Sequence, residues 1–226
     1  MITVIKMVKR VIVYVLGILI LGLGVIFNTK TALGVAAINS VPYSLSQLTN
    51  LTLGNWTTVM YIVMVVIQLC IYRKFELKVI MQIPFSYVMG IILDFYDVMI
   101  TFVPSNMIES CVLMIIAILL TGLGVYLVVG MDFVPNPPDG LVNALAHVFK
   151  KPFGSVKWIF DCCMMSLTIV MTLLMTGHII GIGIGTVISA LFVGRSIQMY
   201  TKVLDQYKNK IYQNHTRTLP SSIGGR

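Results

Sequence analysis

The chain is 226 residues long, 58% hydrophobic and 11% charged, with a net charge of +8 and a mean hydropathy of +0.93. A soluble domain carries about 25% charged residues, so a water-soluble globule is excluded, and no length is left for a separate soluble enzyme domain. The basic residues sit at the ends of apolar runs without interleaved aromatics, which excludes nucleic acid as a partner and points to membrane topology and the lipid bilayer.

Taken in chain order, Lys6, Lys9 and Arg10 precede an apolar run over 11–28. It is longer than a signal-peptide core and more runs follow, so it reads as an uncleaved first span. Further runs fall at 55–72, 79–101, 109–130, 155–176 and 179–199. Each is close to the ~20 residues a helix needs to cross about 30 Å of hydrocarbon. With the N-terminus in the cytoplasm, all of the 16 Lys and Arg residues except Lys30 fall on the cytoplasmic side, as the positive-inside rule requires of six spans with both termini inside. Residues 205–226 are polar and read as a disordered cytoplasmic tail.

Two intervals, 29–54 and 131–154, are too long for simple turns, and each becomes amphipathic. In the first, Ile38, Val41, Leu45 and Leu48 recur opposite Asn39, Ser40, Ser44 and Gln47. In the second, Leu141, Leu145, Val148 and Phe149 lie opposite Asp139, Asn143 and His147. Ser40 before Val41-Pro42, and Asn136 before Pro137-Pro138 with Asp139 following, read as helix start signals. Both helices are too short to cross a bilayer. Either they re-enter the membrane as half-helices whose N-termini meet at a central site, or they lie flat at the interface.

The second half of the chain repeats the first about 100 residues later. Leu21-Gly22-Leu23-Gly24-Val25 returns as Thr121-Gly122-Leu123-Gly124-Val125, Pro42-Tyr43-Ser44-Leu45 as Pro138-Asp139-Gly140-Leu141, Gly54 as Gly154, and the pair Ser86 and Gly90 as Ala190 and Gly194. Three spans per repeat turn the second copy upside down. The expected architecture is an all-α membrane protein of six transmembrane helices, built as two inverted three-helix repeats over 1–104 and 105–204, each with a short amphipathic or re-entrant helix.

The residues that point to a binding site are Ser40, Pro42, Tyr43, Asn136, Pro138, Asp139 and Asn143. Asp139 is an N-terminal helix cap or, in a re-entrant segment, a buried ionisable group of the kind membrane proteins keep for function. Asp161 follows Lys157 by four residues; an i, i+4 ion pair and a place on a proton or ion path both fit. Asp94 lies in the outer third of span three and is the other candidate for such a path. Gly22, Gly24, Gly90, Gly122, Gly124, Gly181, Gly185 and Gly194 read as helix-packing positions. Cys70, Cys111, Cys162 and Cys163 suggest neither a metal site nor a disulfide framework. No catalytic motif is present, so no enzyme activity, cofactor or metal is expected.

The chain resembles the YczE/YyaS/YitT-type bacterial integral membrane proteins. The resemblance is carried by Gly22-Leu23-Gly24-Val25, Leu33-Gly34, Pro42-Tyr43, Gly122-Leu123-Gly124, Pro138-Asp139-Gly140-Leu141, Gly183-Ile184-Gly185-Thr186 and Gly194, over about residues 10–200. Tyr43, where a tryptophan is expected after the proline, and the extra proline at 137 depart from the pattern. The resemblance implies a multi-pass protein of the bacterial cytoplasmic membrane and no particular substrate. The leading expectation is a transporter or channel for a small solute. The alternative is an accessory or regulatory subunit that acts through a protein partner or as a homo-oligomer.

Overall fold

The computed structural model describes residues 2–217, and among them all regular structure is helical. The elements are α1 (Ile2–Lys30), α2 (Ala37–Leu48), α3 (Leu53–Tyr72), α4 (Leu77–Ile80), α5 (Gln82–Met99), α6 (Met107–Gly130), α7 (Pro137–Phe149), α8 (Phe153–Thr176) and α9 (Ile184–Arg217). Among the described residues, five segments are long and apolar enough to cross a membrane: Met7–Lys30, Leu53–Tyr72, Leu77–Met99, Met107–Gly130 and Phe153–Thr176. Their outward faces are apolar. Val59, Val63 and Val66 on α3, Ile108 and Ile115 on α6, and Val170 and Leu174 on α8 are all exposed, a surface that hydrocarbon covers and water does not.

The helix ends follow local chemistry. Thr52 accepts a hydrogen bond from the Asn55 amide at the start of α3. Asn106 accepts from the Glu109 amide at the start of α6, while Glu109 accepts in return from the Ser105 amide and the Asn106 side chain. Pro84 has no amide to donate to Ile80, and there the third run divides into α4 and α5.

Packing follows the small residues. α1 lies along α6. A Cβ on Gly24 would stand 2.6 Å from the Thr121 amide nitrogen, and one on Gly124 2.5 Å from the Leu21 amide nitrogen. Gly22 faces Ile92 on α5 and Gly122 faces Ser196 on α9. α3 packs closely on α5, and α6 on α9. The short helices cross over: α2 lies on α8 and α3, and α7 lies on α3 and α8. Val41 of α2 and Leu141 of α7 enter one core with Tyr61, Met64 and Met164.

Four features differ from the sequence reading. α2 begins at Ala37, not beside Ser40, and neither Ala36 nor Asn136 caps its helix through a side chain. The loop before α2 is held from elsewhere: the Ala36 amide donates to Asn28 Oδ1, and the Val35 amide to the Gly181 carbonyl. Second, the sixth apolar run is not helical from 179. Gly181 lies outside any helix at φ +80°, and the Gly185 amide donates to the Leu33 carbonyl. Gly181 therefore packs against Tyr43 and Ser44 of α2 from a loop, not as part of a helical face of the sixth run. Gly185, in the first turn of α9, packs against Leu33 rather than another helix. Third, Gly194 has no atom within 4 Å of an added Cβ, so it packs no helix. Fourth, residues 205–217 of the expected tail continue α9; 218–226 lie outside the described residues.

Candidate functional site

The N-terminus of α7 is seated on two glutamines inside the bundle. Gln68 of α3 and Gln82 of α5 exchange amide hydrogen bonds of 2.9 and 3.1 Å, and Gln68 Nε2 also donates to the Pro137 carbonyl at 3.1 Å. Gly140 rests on this pair. A Cβ there would lie 2.6 Å from Gln68 Oε1, so a residue without a side chain is needed for α7 to come this close. Pro137 and Pro138 preset the first turn.

This seating places Asp139 beside α8. Lys157 Nζ lies 3.7 Å from Asp139 Oδ1 and 3.5 Å from Asp161 Oδ1. The side chains are 16%, 6% and 22% exposed for Asp139, Asp161 and Lys157. One ammonium therefore serves two carboxylates away from bulk water. Neither distance is that of a hydrogen bond, and Asp161 Oδ1 is buried without a hydrogen-bond partner, as is Asn136 Oδ1 at the start of α7. Asp161 also lines a cavity of about 40 Å³ between α8 and α9, with Trp158, Cys162 and Ala190.

The corresponding place in the first half is neutral. One hundred residues before Asp139, Lys157 and Asp161 stand Asn39, Thr57 and Tyr61, all buried. Asn39 Oδ1 and Thr57 Oγ1 have no hydrogen-bond partner. Ser40 shares a 2.7 Å hydrogen bond with Thr168 and donates to the Ala37 carbonyl.

The other sequence candidates are dispersed. Pro42 is buried inside α2. Tyr43 lines a different space, an open groove of about 710 Å³ that it shares with Gln47 and the 179–184 loop, and Ser44 donates to the Ile180 carbonyl. Asn143 and His147 are exposed on the outer side of α7. Asp94 accepts from Thr52 Oγ1 at 2.7 Å and from the Gly54 amide at 2.8 Å, so it clamps the start of α3 far from Asp161. Lys30 pairs with Asp97 at 2.7 Å.

Sequence reasoning missed Gln68 and Gln82, whose signal was an amide within or beside an apolar run. It also missed the loop that presents α7. Tyr14 donates to the Val134 carbonyl at 2.9 Å, Arg10 donates to the Met131 carbonyl and stacks over Phe133, and Lys78 donates to Asp132 at 2.8 Å. That hydrogen bond and the charge of Lys78 hold the Asp132 carboxyl below the usual carboxylate range.

A family model described as a family of unknown function (DUF6198) matches residues 8–202, and the chain belongs to that family. No curated protein and no solved structure matches.

Proposed function

We propose that this member of the DUF6198 family is a six-span, inverted-repeat transporter or channel for a small solute, and that the α7–α8 junction is its working site. The observation that carries the reading is the Asp139–Lys157–Asp161 set, two carboxylates and one ammonium held inside an apolar helical protein. Ionised groups are costly there, and such groups mark ion and substrate pathways.

The repeat is supported by contacts that exchange between the halves. Gly24 meets Thr121 and Gly124 meets Leu21; Ser40 meets Thr168 and Gly140 meets Gln68. Every partner is displaced by 100 residues, the pattern of two copies related by a two-fold axis. In this reading α9 is the sixth span and both termini face the cytoplasm. The motifs shared with the YczE/YyaS/YitT-type proteins make it a bacterial cytoplasmic membrane. α2 is re-entrant: Asn39, Ser40 and Ser44 on its polar side are buried against protein, whereas a helix lying flat turns that side to water; α7, whose Asn143 and His147 are exposed, is taken as its counterpart only through the repeat. The protein moves or binds its solute without transforming it.

A thermal-shift screen of purified protein against small metabolites and ions tests this, because a ligand that binds only the folded state raises the melting temperature. A hit that is lost in Asp139→Asn is the expected result. A panel without a hit, together with vesicles that take up none of the panel, overturns it. The second reading, an accessory subunit with a protein partner, is favoured by one feature: α9 touches α8 sparsely and leaves Val187 and Leu191 exposed.

A further inference from the structure

A hollow of ligand size lies away from the buried charges. It is the groove of about 710 Å³ between α2 and the 179–184 loop, within the roughly 300–1,000 Å³ of small-molecule sites. Hydrogen bonds between distant segments fix its walls. The Val35 amide donates to the Gly181 carbonyl at 2.9 Å, the Gly185 amide to the Leu33 carbonyl at 2.7 Å, and Ser44 Oγ to the Ile180 carbonyl at 2.8 Å. A Cβ on Gly34 would strike the Gly183 amide nitrogen, and one on Gly181 would stand 2.8 Å from Ser44 Oγ. These two glycines also hold φ of +101° and +80°, which other residues rarely adopt. The groove is therefore formed before any ligand arrives.

Its lining has two characters. Leu33, Val35, Ile180 and Ile182 supply hydrocarbon, while Tyr43 and Gln47, one turn apart on α2, supply a hydroxyl and an amide. Among the described residues, neither the Tyr43 hydroxyl nor the Gln47 side-chain amide has a hydrogen-bond partner in the protein. No charged side chain lines the groove. Asp97, a carboxylate within electrostatic reach of Tyr43, is already paired with Lys30 at 2.7 Å. An ionised ligand would lose hydration here without gaining a counter-charge. A neutral one exchanges hydrogen bonds with Tyr43 and Gln47 and lays its hydrocarbon on the isoleucines. The repeat does not reproduce this lining: Asn143 and His147 stand where Tyr43 and Gln47 do, and Arg10, Tyr14 and Lys78 fasten the loop before α7.

We propose that this groove binds a small uncharged molecule that joins a hydrogen-bonding head, such as a primary amide, to a hydrocarbon body. Tyr43 and Gln47 hold the head; Leu33, Ile180 and Ile182 hold the body. The site stands without Asp139. The transporter reading adds only that it receives solute on the outer face.

The test uses the full-length protein in lipid vesicles with Ile179→Cys, an exposed position lining the groove. The rate at which a membrane-impermeant maleimide labels position 179 is read by mass spectrometry. Isocaproamide, isocaproate and isoamylamine serve as probes, because they share one hydrocarbon body and differ in charge. Saturable slowing by the amide alone is expected. At about ten times its dissociation constant roughly one site in eleven stays free, so labelling slows about tenfold. Tyr43→Phe with Gln47→Leu abolishes the protection and leaves position 179 open to the reagent, and Asp139→Asn leaves the protection intact. Should Ile179→Cys fail to fold, Ala32→Cys, exposed on the loop before α2, serves the same comparison. Equal slowing by all three probes, slowing at His147→Cys as well, loss of protection in Asp139→Asn, or no slowing by the amide overturns the proposal. So does a thiol at 179 that the reagent never reaches, because lipid then fills the groove. Amide protection in a protein whose vesicles move no solute keeps this site and removes the transporter; uptake of a solute without amide protection does the reverse.

Discussion

A methyl group added at Gly54 would collide with the Gly90 carbonyl oxygen, whereas one added at Gly154 would meet nothing within 4 Å. The two glycines occupy equivalent places in the α3–α5 and α8–α9 seams. Both seams carry small residues at four-residue spacing, Ser86 and Gly90 in one and Ala190 and Gly194 in the other, yet only the first closes. Two side chains account for this. Thr58 faces Gly90 and donates to the Gly54 carbonyl at 2.8 Å, while its counterpart Trp158 stands in the gap between α8 and α9. Asp94 grips the start of α3. The matching position on α9 is Gln198, a neutral amide that is exposed and stays out of reach of Gly154. Small residues permit close approach, but a bulky neighbour or a missing clamp prevents it. The open seam is also the one beside the buried charges.

The largest expected effect breaks the charge half of this contrast. Lys157→Ala leaves two buried carboxylates facing each other, and removing one partner of a buried ion pair costs about 3–5 kcal/mol. Thr57→Val, at the neutral counterpart, removes a buried hydroxyl that has no partner and is expected to be neutral or slightly stabilising. Denaturant unfolding of both variants measures the difference. Equal losses would mean that the two junctions are energetically alike and that the charges at 139, 157 and 161 are incidental.

A smaller effect sharpens the packing half. Gly54→Ala overpacks a closed seam, at a cost of about 1–3 kcal/mol. Gly154→Ala fills open space in a helix and gains up to about 1 kcal/mol in backbone propensity. Opposite signs in the melting temperatures are expected. A loss at Gly154 comparable to that at Gly54 would show that the α8–α9 seam closes in lipid.

The sequence displayed what is local. Continuous apolar runs, the two short amphipathic helices and the i, i+4 pair of Lys157 with Asp161 all follow from spacing along one helix. What escaped it is set by partners far along the chain. Matching Pro42 with Pro138 slipped the short helices by one turn, because α2 and α7 begin 100 residues apart, at Ala37 and Pro137, with Pro138 in the first turn and Pro42 in the second. Gly181 and Gly185 had the period of a helix face, but Gly181 sits at φ +80° against Tyr43 and Ser44 of α2, and Gly185 packs on Leu33. The share of Asp139 in Lys157 depends on the turn between α7 and α8, where Lys150 adopts a left-handed conformation that no pattern in this sequence announces.

The smallest effect concerns the loops that present the two short helices. The loop before α2 is fastened from inside, by buried Asn28, which accepts from the Ala36 amide and donates to Ser189 at 2.9 Å. The loop before α7 is fastened from the surface, by Arg10, Tyr14 and the Lys78–Asp132 pair. Only the second fastening contains a carboxylate. Because the folded protein holds the Asp132 carboxyl below its ordinary value through the Lys78 hydrogen bond and charge, its contribution is complete above the unfolded value of about 3.9. It is lost as pH falls through the lower, folded value. Asp132→Asn is therefore expected to leave the melting temperature nearly unchanged at neutral pH, since exposed pairs contribute little, and to flatten its decline below about pH 4. A decline of the same steepness in Asp132→Asn would place the acid sensitivity elsewhere and leave the α7 loop held by Arg10 and Tyr14 alone.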